Sequence, residues 1–176
     1  MSYQEINKES IIFTTKTRRW CSLPYPNHPN GCPNYNKNSL CPPKAPFLNI
    51  IIEEYKHFYL IIGHFNLAKY KKEMLRRHPN WSDRQATCVL YWQGSAKKHT
   101  KEYINKIYEK NTGNQLFLLS SGSGFNSLDI EQEKIYSMEA AGINVFETLK
   151  KNNIEFEVKP KDFILIVNLL CSDKQI

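Results

Sequence analysis

Phe163-Ile164-Leu165-Ile166-Val167-Asn168-Leu169-Leu170, close to the end of a 176-residue chain, is a nearly continuous apolar run of strand length. A strand with one wet face alternates apolar and polar residues, so an unbroken run predicts a strand covered on both faces. Working outward, Gln115 to Leu119 reads as a second core strand, and Tyr55 to Phe65 (YKHFYLIIGHF) as a third. Ile11-Ile12-Phe13-Thr14-Thr15 is short, β-branched and aromatic, and predicts a strand leading into Arg18-Arg19-Trp20 and on to Cys21.

Helical stretches lie between these runs. Asn66 offers an N-cap for a helix through Arg77, which His78-Pro79 ends. Ser82-Asp83-Arg84-Gln85 is a capping-box pattern and opens a helical stretch to about Lys110. Ser137 reads as the cap of a helix from Met138 to Lys151, because Met138, Ala141, Val145 and Leu149 recur at helical spacing. Asn152-Asn153 suits the left-handed end of that helix. Strands alternating with helices predict an α/β sandwich with a mainly parallel or mixed sheet, and the length predicts one domain over residues 1–176.

Composition narrows the function classes. No stretch approaches the roughly 18 consecutive apolar residues of a membrane span, and Met1 to Ser10 holds no apolar run for a signal peptide. The expectation is a soluble cytoplasmic protein with no membrane partner. Five cysteines, an odd number, argue against a disulfide framework and for ligands or nucleophiles. A net charge of +7 favours anionic partners.

The chemistry concentrates in residues 21–47, a loop embedded in the domain. It carries seven of the nine prolines, a composition that fixes φ, removes backbone donors and excludes helix or central strand. A loop of that length needs an internal tie. Cys21, Cys32 and Cys41 supply three thiols, and both later ones precede proline in Cys32-Pro33 and Cys41-Pro42-Pro43. Soft thiolates select zinc, copper(I) or iron-sulfur clusters over magnesium and calcium. A structural zinc site commonly uses four ligands in C-x2-C knuckles, which are absent, although His28 is available as a fourth ligand. Cys-Pro steps recur in iron-sulfur proteins. The favoured cofactor is therefore an iron-sulfur cluster, 4Fe-4S, with one iron open to a substrate, and zinc is the alternative. No residue is an evident partner base for a metal-free catalytic thiol. Cys88 and Cys171 read as small core hydrophobes.

Other residues offer weaker signals. Ser120-Ser121-Gly122-Ser123-Gly124 follows a strand, so the N–H groups around Ser121, Gly122 and Gly124 could cradle an anionic cofactor, though the third glycine of a dinucleotide fingerprint is missing. Glu139 stands in the first turn of the expected helix, where the macrodipole alone accounts for a carboxylate, and its functional reading is a site carboxylate. Gly142, inside that helix, marks close packing against a neighbour or ligand. His57 and His64 are seven apart in a strand, face opposite ways and cannot share a site. Trp81, Arg84, Tyr91, Trp92, Lys97, Lys98, Lys101 and Lys106 mix cations with aromatic planes, as a surface for single-stranded nucleic acid or a nucleobase would. Tyr91 and Trp92 are adjacent and cannot both face one partner, which favours an amphipathic helix packing its aromatics inward.

Cys32-Pro33-Asn34-Tyr35 with Cys41-Pro42-Pro43, taken with Ser137-Met138-Glu139-Ala140-Ala141-Gly142-Ile143-Asn144-Val145-Phe146, resembles a family of small cysteine-rich α/β proteins catalogued as predicted metal-binding proteins of unknown function. The resemblance implies a metal centre, with electron transfer and an electron-donor protein among its expected partners. The family generally carries a second cysteine cluster before the SMEA-like segment, whereas Ser120 to Tyr136 holds no cysteine here. The resulting expectation is a metal-binding protein whose open coordination position serves redox or Lewis-acid chemistry on a small molecule or nucleobase. The rival expectation is a zinc-stabilised module that binds nucleic acid through the basic-aromatic helix.

Overall fold

The computed structural model describes residues 1–24, 28–122, 130 and 132–176. Four strands form one sheet: β1 (Ser2–Ile6), β2 (His57–Asn66), β3 (Leu116–Leu119) and β4 (Phe163–Ser172), in the order β1-β2-β4-β3. The helices among the described residues are α1 (Lys16–Trp20), α2 (Leu67–Arg77), α3 (Asp83–Ala86), α4 (Val89–Lys110) and α5 (Val145–Lys151).

The mixed α/β class holds, but the sheet is antiparallel throughout, which corrects the expected parallel or mixed arrangement. The reason lies in the position of β4. It runs antiparallel to both neighbours, from His57↔Ser172 to Asn66↔Phe163 on one side and from Leu116↔Ser172 to Leu119↔Leu169 on the other. β2 and β3 therefore point the same way, as a strand-helix-strand unit suggests, and the last strand inserts between them. The apolar run of β4 is covered on both faces all the same. Val167, Leu169 and Cys171 join the core formed with Leu48, Ile52, Met138, Ile143 and Leu149. Leu170 faces the opposite core with Tyr59, Ile61, Ile104 and Leu118, beneath α4.

Local signals explain most helix boundaries. The Asn66 side chain accepts the Lys69 N–H, so α2 starts where its cap stands. Ser82 and Gln85 close the capping box, but it starts only the four-residue α3. The chain breaks at Thr87-Cys88 because the Thr87 carbonyl accepts the Trp92 indole N–H at 3.1 Å, and α4 restarts at Val89.

Two expectations near the site are corrected. Ile11 to Thr15 forms no strand; it lies against residues 142–144 through a single bridge, Phe13↔Ile143, and Cys21 is delivered by α1. The N-terminal strand is instead β1, which pairs with β2 on the side away from β4 and whose polar, exposed sequence hid it. The helix expected over Met138–Lys151 is divided. Ser137 Oγ does accept the Ala140 N–H at 3.1 Å, but Gly142 adopts φ +96° and ends that single turn. A Cβ there would lie 2.1 Å from Phe47 Cε2, so only glycine lets the loop ring pack against this backbone. Asn144 then caps α5 by accepting the Glu147 N–H. Asn153 takes the left-handed conformation after it, at φ +55°.

Candidate metal centre

Between α1 and the short 3₁₀ turn at Ile51–Glu54 the described residues form turns and bends without a helix or strand. Prolines leave few backbone donors, so the few present carry the shape. The Cys32 N–H donates to the Cys21 carbonyl at 2.7 Å, clamping two of the three cysteines backbone to backbone. Gly31 makes that approach feasible: its φ is +80°, and a Cβ would lie 2.6 Å from the Cys21 carbonyl oxygen. The Cys41 N–H closes a turn on the Asn38 carbonyl, and the Ala45 N–H returns to the Cys41 carbonyl at 2.9 Å. Asn36 completes the knot by donating its N–H to the Pro42 carbonyl at 2.8 Å.

Side chains tie this loop to the segment around Glu139. The Arg18 guanidinium donates to three carbonyls, those of Ala140, Pro43 and Ala45, at 3.0, 3.1 and 2.6 Å. Thr17 Oγ1 donates to the Glu139 carbonyl at 3.2 Å. One planar cation thus fixes the end of the cysteine loop against the turn that carries Glu139.

All five cysteines are free thiols, and those at 21, 32 and 41 are half-buried. Burial pushes the Cys21 thiol above its ordinary pKa, and the charges of Cys32, Cys41 and Glu139 push it the same way. Cys41 is raised by burial and by Cys32. Burial also raises the Glu139 carboxyl, against the lowering effect of hydrogen bonds that include the Gly122 N–H at 3.3 Å. Cys21 lies within electrostatic reach of two further thiols and a carboxyl, so a metal cation bound there would lower the pKa of the Cys21 thiol. The donor chemistry fits a thiophilic metal, although no three His, Cys, Asp or Glu side chains among the described residues already stand in ligating range of one point.

Other expected site residues fall elsewhere. His28 lies in the same loop, in the turn where its carbonyl accepts the Gly31 N–H at 3.1 Å. Ser121 and Gly122 follow β3, and Gly124 lies outside the described residues. The Gly122 N–H that would cradle an anion already meets the chain's own Glu139 carboxylate. His57 contacts Glu5 at 3.0 Å and His64 lies against Phe163, on separate sides of the strand. Trp92 is buried against Phe65, while Tyr91 stacks outside on Trp81, so the two adjacent aromatics do face apart. Cys171 is a buried core residue, but Cys88 is half-buried at the start of α4.

Nothing in the sequence around Arg18 announces that it ties the loop, because its three acceptors are backbone carbonyls distant along the chain. Phe156 was equally unmarked; it packs ring to ring at 5.3 Å on Phe146, the last residue of the SMEA-like segment, and both line a cleft with Glu139. Trp20, the step before Cys21, lines the same cleft.

Residues 4–123 match the family described as predicted metal-binding protein (DUF2284). The matched region holds all three loop cysteines and ends before Ser137–Phe146. No curated protein and no solved structure matches the chain. The chain belongs to that metal-binding family.

Proposed function

We propose, from membership of that family, that Cys21, Cys32 and Cys41 together hold a metal centre, with an iron-sulfur cluster favoured and Glu139 beside it. The observation that carries this reading is the electrostatic coupling of the Cys21 thiol to Cys32, Cys41 and Glu139 within a loop closed by the Cys32-to-Cys21 backbone bond. Structural disulfides are not its purpose, since the cysteines are free, and core filling does not account for three half-buried thiols in one loop.

A cluster bound through three thiolates would leave one coordination position for redox or Lewis-acid chemistry on a small molecule. The chain's own part is to hold that position. Arg18 and Thr17 fix the Glu139 turn against the loop, and the Gly122 N–H orients the Glu139 carboxylate. Glu139, which feels the Cys21 thiol, is the residue to hold or move a proton at its carboxylate or to orient a donor on the substrate.

Purification without oxygen, followed by iron, zinc and acid-labile sulfide analysis, tests the assignment. Iron with comparable sulfide and a brown chromophore supports the cluster. Zinc without sulfide replaces it by a closed structural centre, and a metal-free protein overturns the proposal.

A further inference from the structure

A cleft of about 190 Å³ opens beside the cysteine loop, between α5, the edge of β4 and Trp20, the residue before Cys21. Its walls include the rings of Trp20, Phe146 and Phe156 and the aliphatic side chain of Leu165. Among the described residues, the ionisable groups on its walls are two carboxylates, Glu139 and Glu157, with no lysine, arginine or histidine. That is the reverse of the chain as a whole, in which 24 lysines and arginines outnumber 17 acids.

The two carboxylates differ in the charge beside them. Glu157 Oε2 already accepts the backbone N–H groups of Lys161 and Asp162. Glu139 accepts the Gly122 N–H at a long 3.3 Å, its own backbone N–H and the Ser137 hydroxyl, and no cationic side chain among the described residues pairs with it, whereas the Lys161 charge acts on Glu157. A half-buried carboxylate in a cleft lined by aromatic rings is complementary to an ammonium group, which gains from the charge and from the ring faces together. The volume is well below the roughly 300 Å³ where drug-sized sites begin, so the occupant is small.

We infer that this cleft binds a small organic monocation, an amine with an apolar or aromatic body, with its ammonium on Glu139 and its body among Trp20, Phe146 and Phe156. This deepens the metal-centre reading by naming the class of molecule presented to the cysteine loop, and it rests on that reading only for the role of the bound amine.

Phenethylamine and its anionic counterpart phenylacetate are the probes, titrated into the full chain as purified and monitored by ligand-observed NMR, with metal content measured on the same sample. Phenethylamine should bind at least ten-fold tighter than phenylacetate. Glu139→Gln should erase that preference, and Phe146→Ala, at a half-exposed position that the fold tolerates, should weaken the amine without reversing it. Equal affinity for the two probes, no binding of either, or an unchanged preference in Glu139→Gln would overturn the inference. Amine selectivity in a metal-free sample supports the cleft while overturning the metal centre; bound metal without amine selectivity overturns the cleft alone.

Discussion

Arg18 donates to the Ala140 carbonyl at 3.0 Å across 122 residues of sequence, and the same guanidinium holds Pro43 and Ala45. Charged hydrogen bonds to backbone of this kind contribute about 1.5–3 kcal/mol each when a partner is lost from a half-buried setting. Arg18→Ala is expected to cost roughly 2 kcal/mol in chemical denaturation and to lower metal content as well. Arg18→Lys should recover little, because an ammonium cannot reach three acceptors in one plane. Full stability in Arg18→Ala would show that the loop is held by something else.

Gly31 tests the loop without touching a ligand. Its positive φ and the 2.6 Å approach to the Cys21 carbonyl leave no room for a methyl group. Gly31→Ala should therefore separate Cys21 from Cys32 and reduce metal per chain at least several-fold. The turn contributes no residue to the hydrophobic clusters around the sheet, so far-UV circular dichroism should stay close to that of the parent. Unchanged metal content would mean that the Cys21–Cys32 clamp is incidental.

Helices and strands whose signals are local were legible in the sequence. Asn66 and the β4 run announce α2 and a doubly covered strand on their own, since a cap and an apolar pattern act over a few residues. Strand direction was not legible, because it depends on where β4 inserts, a long-range choice that no window reports. Gly142 was correctly marked for close packing, yet its effect on the helix was missed: the neighbour is Phe47, almost a hundred residues away. At the site, thiol chemistry singled out Cys21, Cys32 and Cys41, while Arg18 and the aromatic cleft arise from contacts the chain makes only when folded.

The Glu139 carboxyl gives a pH signature in the metal-free chain. Burial raises its folded pKa above the ordinary carboxylate value. The unfolded chain then releases its proton first, so stability is fullest below about pH 4.3 and declines as pH rises toward the folded pKa. Glu139→Gln removes this loss. Its melting temperature should exceed the parent's at neutral pH, and the gap should close on acidification. A gap that is independent of pH would show that the carboxyl is not strained by burial.

Asn168, in the middle of β4, is fully buried, and neither side-chain polar atom has a hydrogen-bond partner. An unsatisfied buried amide costs about 1–3 kcal/mol, so Asn168→Leu, of similar size, should raise stability by about 1–2 kcal/mol. Urea denaturation measures it directly. A destabilised variant would reveal that the amide is satisfied in solution.

The central claim is that one loop holds the metal, and the contrast among five single substitutions tests it most directly. Metal per chain is measured after anaerobic purification of Cys21→Ser, Cys32→Ser, Cys41→Ser, Cys88→Ser and Cys171→Ser. The first three should each lose most of the metal, while Cys88→Ser, at the start of α4, and Cys171→Ser, inside the core, should match the parent. Equal loss from all five, or retention in any of the first three, would contradict the assignment.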